Sequence, residues 1–171
     1  MGRTPAIRDF SAIDWNAWTP VDRCTLVFVF DGERVLLIRK KRGLGAGKVN
    51  GPGGRQEPGE SIEQCGIRET REEVGLVVSG LSLAGVLRFQ FADGYATHVH
   101  VFRTDTFEGS PIETDEALPF WTPVDAIPYD EMWADDRLWI PMMLEGKAFE
   151  GRFLFDGDRL VDYVLEPAAG R

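Results

Sequence analysis

Cysteine is nearly absent from this chain of 171 residues: Cys24 and Cys65 are the only two, and they stand in unrelated contexts. Two isolated thiols exclude a disulfide framework, offer no zinc spacing and suit a reducing, cytoplasmic compartment. Histidine is as scarce, with His98 and His100 alternating along one run. Without a third ligand nearby they are expected as packed or hydrogen-bonded side chains rather than a metal site. Positive charge is also short, since 19 Lys and Arg against 28 Asp and Glu leave a formal net charge of −9. That balance argues against non-specific binding to a nucleic acid polymer or an anionic membrane, yet allows a small polyanion neutralised by metal ions. No apolar run reaches bilayer-spanning length, and the first residues lack the apolar core of a signal peptide. MGRTPA carries Ala6 where a myristoylation pattern needs Ser or Thr. Repeats and low-complexity tracts are missing too.

What is present is 43% hydrophobic and 27% charged, in a length that suits one domain. Residues 1–22 read as an N-terminal extension whose Trp15 and Trp18 dock on the domain surface. Residues 23–167 form the domain, and 168–171 a tail. Residues 24–30 and 35–41 flank DGER as a hairpin, and their near-continuous apolar character predicts strands buried on both faces. A glycine-rich loop, GLGAGKVNGPGG, follows. Ser61 with Gln64 three residues on makes a capping box, and Gly75 sits where a helix stops, so 62–74 is expected to be helical. Strand-like runs over 81–91 and 96–107 are joined by ADGY, and FWTPVDAIP reads as a short strand into a turn or short helix. A second helix is expected over 136–144, with Pro141 in its first turns or kinking it. A final hairpin over 151–165 turns on Asp156-Gly157-Asp158. Strands, a central helix, more strands and a second helix predict an α/β fold, a mixed β-sheet in an α/β/α sandwich.

Acid is concentrated in one stretch. Glu57, Glu60, Glu63, Glu69, Glu72 and Glu73 crowd residues 51–76 together with six glycines. At about 100° per residue, Ile67, Thr70 and Val74 share the core side of the predicted helix. Glu69, Glu72 and Glu73 share another face with Ile62, Cys65 and Gly66, while Arg68 and Arg71 point elsewhere. Carboxylates at i, i+3 and i+4 repel one another. A hard divalent cation with oxygen ligands is the species such a face expects, and the glycine loop ahead of it lets backbone approach a ligand closely.

Gly54, Glu60, Arg68-Glu69, Glu72-Glu73 and Gly75-Leu76 follow the spacing G-x5-E-x7-R-E-U-x-E-E-x-G-U, in which U is bulky and aliphatic. This resembles the Nudix box at every position but one, Thr70 standing where an aliphatic residue is usual. The resemblance implies hydrolysis of a nucleoside diphosphate linked to another moiety, with Mg²⁺ or Mn²⁺ as cofactor. It implies that Glu69, Glu72 and Glu73 bind the metal ions, that Gly53 offers a backbone carbonyl, and that Arg68 orients a catalytic carboxylate with Glu60. A base is still required, and Glu72, Glu73 and the downstream Glu116 all remain candidates.

The flanks KKRGLGAGKVNGPGG, HVHVFRTD, 113–116 and MWADDRLWIP resemble the oxidised purine nucleoside triphosphatases, the MutT-related 8-oxo-dGTP diphosphatase group, over about residues 24–167. By that likeness Asn50 hydrogen-bonds the purine, Thr25 and Lys40 line its pocket, and Gly53 and Gly54 approach the phosphates. Trp133 stacks on the base, Asp135 and Asp136 read its edge, and Phe89 and Trp139 match aromatic pocket positions. Neighbouring carboxyls share a proton and so present one donor and one acceptor. Against this stand plainer readings: the aspartates as helix caps, Trp139 as a core residue, Cys65 as packing. Leu44 and Val49 stand where the group carries Phe and Trp, and Ala117 where it carries Met, which predicts a roomier pocket. Other expected outcomes for such a chain are a Nudix hydrolase of ADP-ribose or a dinucleotide, or a nucleotide-binding module without turnover. Monomer and homodimer are left equally open.

Overall fold

Alternation along the first hairpin builds a core on each side of it. A computed structural model describes residues 4–169. Strand β1 (Asp22–Asp31) and β2 (Arg34–Lys40) meet through Gly32 and Glu33, pairing Asp31 with Arg34 and Phe30 with Val35. Gly32 takes a left-handed φ of 59°, as a two-residue hairpin turn requires. Val27, Val29, Leu36 and Ile38 bury on one side of the sheet, and Phe28, Phe30, Val35 and Leu37 on the other. Burial on both faces is what the continuous apolar run predicts.

The glycine-rich loop holds two short strands that composition alone concealed, β3 (Val49–Asn50) and β4 (Gly53–Arg55). Helix α1 (Ile62–Val74) follows. Its N-terminus is closed by the reciprocal Ser61–Gln64 capping box and its C-terminus by Gly75 at φ 76°. Thr70, at the unusual box position, is fully buried, and its hydroxyl donates to the Gly66 carbonyl at 2.7 Å, which satisfies it inside the helix. Next come β5 (Val77–Ser79), β6 (Ser82–Phe91), β7 (Ala96–Thr104) and β8 (Thr106–Glu108). The single run expected over 96–107 therefore breaks at Asp105, where β8 leaves the main sheet to pair with β5. Strand β9 (Ala117–Pro123), helix α2 (Asp136–Leu144), β10 (Phe149–Asp156) and β11 (Arg159–Pro167) complete the fold. Pro141 stands beyond the first turn of α2, inside the helix.

The main sheet runs β11-β10-β6-β7-β1-β2-β3, with β4 on β1 and β9 on β2. β1 with β7 and β10 with β6 are parallel, and the remaining pairs are antiparallel. Val74 at the end of α1 packs with Val27, Val29, Leu36, Ile38 and Phe102 on one face. Trp139, Ile140 and Met143 of α2 pack with Phe28, Phe149 and Phe153 on the other, which makes the α/β/α sandwich. Ahead of β1, Trp15 is buried and Trp18 half-buried against the sheet.

Candidate active site

Two glycines let β4 lie close against β1 on one side and α1 on the other. A Cβ on Gly53 would collide with the Thr25 carbonyl, and one on Gly54 with the Glu69 carboxylate. The Gly53 N–H donates to Glu73 Oε2 at 2.8 Å. Glu73 is buried, and that burial pushes its carboxyl up to about 7, against the pull of the Gly53 N–H and with a further push from Glu69. Burial likewise raises Glu69, with Arg68 opposing it. Glu116 arrives from just before β9, paired with Arg42 at 2.9 Å, and its charge adds to the upward push on both Glu69 and Glu73.

Arg68 does not point away from the acidic face, and this corrects the reading from helical angle. Its guanidinium donates twice to Glu60, at 2.9 and 2.7 Å, to Glu69 at 2.8 Å, to Glu72 at 3.1 Å and to the Arg55 carbonyl at 3.0 Å. The angle fixes only the Cβ direction; a long side chain swings to the neighbour at i+4 and back over the loop. Held by that fork, Glu60 is lowered to about 2. Arg71 stays exposed. Cys65 is buried and its thiol is pushed up to about 11 by burial, which suits packing and not nucleophilic chemistry.

Among the described residues no three His, Cys, Asp or Glu side chains stand as a finished cation cage. Arg68 and the Gly53 N–H occupy the carboxylates that would form one. The donor chemistry nevertheless fits a hard divalent ion: Glu69, Glu72, Glu73, Glu116 and the Gly53 carbonyl offer oxygen only. Two of these carboxyls are raised by burial and mutual repulsion, so the site is short of positive charge. His98 and His100 lie away from it, side by side on β7 with ring centres 4.8 Å apart and Arg23 on His98 Nδ1 at 3.2 Å.

The other half of the site gathers around Trp133. The left-handed Gly45 (φ 80°) lies so close that a Cβ there would sit 2.7 Å from the indole nitrogen, and Lys48 lies 5.2 Å from the ring centre. A hollow of about 470 Å³ opens here, lined by Leu44, Gly45, Lys48, Phe91 and Trp133 together with the β10–β11 turn. Asp135 and Asp136 open α2 and are almost wholly buried, at 2% and 3% exposure. Asp135 Oδ2 accepts from Trp139 Nε1 at 2.8 Å, whereas Asp136 Oδ2 is buried without a partner. Burial raises both carboxyls, Asp135 to about 6 and Asp136 well above the usual range, the charge of Asp135 adding to the second. Burial and mutual repulsion make such a pair favour sharing a proton over carrying two charges. Asp135 occupies the N-cap position of α2, but its carboxylate makes no capping bond. Capping therefore does not account for either acid.

Asn50 is half-buried, its Oδ1 accepting from the Gly51 N–H at 2.8 Å. Lys40 reaches forward to the Leu44 carbonyl at 2.8 Å and ties down the loop over 43–47. Phe89 stacks on Phe153 at 5.2 Å behind the hollow. Trp139 is fully buried between Phe28 and Phe149, so it is a core residue that reaches the site only through Asp135. Thr25 departs from its expected place: its hydroxyl lies 3.6 Å from Cys65 on the α1 side of β1, because side chains alternate and Thr25 falls in step with Val27. Val49 and Ala117 are fully buried in the two cores, so of the three family departures only Leu44, at 52% exposure, lies on the hollow. Gly45, Lys48 and Phe91 were not among the residues expected at the base. Phe91 was legible as the same-face neighbour of Phe89 at i+2.

Residues 20–143 match the family model described as NUDIX domain. The chain is 49% identical over 144 residues to an oxidized purine nucleoside triphosphate hydrolase of Danio rerio, covering 83% of this chain and 92% of that one. To the protein of the same description in Mus musculus it is 43% identical over 143 residues, covering 82% and 92%. A crystal structure of a MutT protein from Bacillus halodurans superposes with a TM-score of 0.78 at 28% identity, over 87% of this chain and all of that one. Hydrolases of this family use divalent metal ions. With an unbroken set of acidic box positions on α1 and a family match across most of its length, the chain belongs to the Nudix family and is a Nudix hydrolase.

Proposed function

We propose that the chain hydrolyses oxidised purine nucleoside triphosphates to the nucleoside monophosphate and pyrophosphate, and so cleans the nucleotide pool. The observation that carries the purine reading is the buried Asp135–Asp136 pair beside Trp133, with Asp136 Oδ2 left without a partner. An unpaired buried acid is costly unless a ligand completes it. A purine edge offers the donor and the acceptor that a singly protonated pair matches, and the names of two close relatives accord with this chemistry.

Mg²⁺, or Mn²⁺, held by Glu69, Glu72, Glu73 and the Gly53 carbonyl, with Glu116 alongside, supplies charge neutralisation and an activated water when bound. The chain's own residues do the remainder. Gly53 and Gly54 bring backbone up to the phosphates. Arg68 pins Glu69, Glu72 and Glu60 in one arrangement, and so orders the carboxylates before substrate arrives. The proton of the attacking water passes to one of Glu72, Glu73 or Glu116. Trp133 stacks on the base, Asn50 hydrogen-bonds it, and Lys40 holds the loop that carries Leu44 over it.

One assay panel tests the reading. With Mg²⁺ present, 8-oxo-dGTP, 2-oxo-dATP, dGTP, dATP, a pyrimidine triphosphate and ADP-ribose are compared, with pyrophosphate detected separately from phosphate. The expected products are pyrophosphate and monophosphate from an oxidised purine triphosphate. Turnover of ADP-ribose alone, or binding without turnover, would overturn it.

A further inference from the structure

Gln90 is a buried amide with all three of its polar contacts spoken for. Its Oε1 accepts from Trp18 Nε1 at 2.9 Å, and its Nε2 donates to the Phe91 carbonyl at 3.0 Å and the Tyr95 carbonyl at 3.2 Å. Because an indole N–H only donates and a carbonyl only accepts, this set admits one orientation of the amide. Phe91 and Tyr95 are the two ends of the β6–β7 turn, and the Phe91 ring stands edge-on to Trp133 at 6.0 Å.

We infer that residues 7–21, most of which precede the family match, position the base-binding half of the site through Trp18 and Gln90. The inference rests on the purine reading above. The segment is pinned at both ends beside that turn, with the Ile7 N–H on the carbonyl of the turn residue Ala92 at 2.9 Å and the Val21 N–H on the Ala96 carbonyl of β7 at 2.8 Å. Trp18 is held between them, with Trp15 at 5.7 Å, the Arg88 guanidinium at 5.8 Å and the edge of His98 at 6.3 Å. Arg88 also donates to the Trp15 carbonyl at 3.4 Å. By contrast the Trp15 indole nitrogen is buried and has no partner, so Trp15 packs while Trp18 transmits. The line of contact runs from Trp18 to Gln90, to the turn, to Phe91 and to Trp133. Trp18 and Gln90 are positioning residues, since neither reaches the hollow itself.

Removing the Trp18 N–H leaves Gln90 Oε1 buried and unsatisfied, and frees the amide to turn away from the two carbonyls. In the full chain, Trp18→Phe should raise KM for the preferred purine triphosphate about fivefold with kcat within about twofold, as loss of one hydrogen bond implies. Gln90→Met should do the same, and the double variant should be no worse than either single one, because both break one chain of contacts. A purely structural role would instead lower Tm and the active fraction, reducing kcat at constant KM. That result, an unmoved KM in both variants, or additive effects in the double variant would overturn the inference. Wild-type protein inactive on every purine triphosphate would sink the purine reading instead, so the two failures are distinct.

Discussion

Gly54→Ala puts a methyl group where the Glu69 carboxylate now lies. The new Cβ would stand 2.7 Å from Glu69 Oε1, and nearer still to Cδ, against an ordinary contact of about 3.4 Å. The carboxylate must retreat by on the order of 1 Å, and a misplacement of that size costs about 100-fold in rate. The backbone is spared, since the clash is with the end of a side chain and Gly54 does not have a positive φ. The variant should therefore fold with Tm within a few degrees of wild type while kcat/KM, read as pyrophosphate release with saturating Mg²⁺, falls about 100-fold. Gly53→Ala is the control. Its Cβ meets the Thr25 carbonyl in β1, which cannot swing aside, so that variant should lose folding as well as activity. Near wild-type turnover in Gly54→Ala would refute the assignment of Glu69 to the reacting centre.

Glu73→Gln keeps an oxygen for the Gly53 N–H but removes the charge, so turnover should vanish with Tm almost unchanged; full activity would remove Glu73 from the metal set. Trp139→Phe fills most of the same volume but strips the buried Asp135 of its donor, and should cost about 2–3 kcal/mol in urea unfolding. Asp135 and Asp136 titrate above an unfolded chain's aspartates, so their neutral form stabilises the fold at low pH. That contribution is lost as pH rises from about 4 through about 6 and beyond. Asp136→Asn should flatten the unfolding midpoint measured from about pH 5 to about pH 8, and an identical slope in both proteins would refute the buried pair as its cause.

Elements whose signal is local were readable in the sequence. Ser61, Gln64 and Gly75 bound α1 by hydrogen bonds made within a few residues, and the two-residue turn after Asp31 needs only its own glycine. What escaped depends on partners far along the chain. Strands β5 and β8 are three residues each and exist because they pair with one another across 27 positions or more. Arg68 was misplaced because an angle on a helical wheel ignores a guanidinium long enough to gather carboxylates from the loop and from its own helix. Thr25 departs from its expected place because likeness gives a position but not the face of the strand on which its side chain falls. The acidic residues of the box needed no such information, because their density behind a glycine loop was already a demand for a partner; the paired aspartates became legible only through the family likeness.

Strand β1 has two antiparallel neighbours on the same edge, β2 beside Phe30 and Asp31 and β4 beside Cys24, Thr25 and Leu26, so the sheet forks. One prong carries Gly53 and Gly54 to the acids of α1; the other leads through β2 to the loop bearing Leu44 and Lys48. No pairing of β1 with β4 involves residues 41–48. Residues 43–48 of that loop, beyond the Arg42 that pairs with Glu116, can therefore be rewritten by mutation, lengthened or reshaped around a new base, without disturbing the register that sets the bond-breaking end. A lineage built on this fork changes its diet at one tine and keeps its teeth at the other.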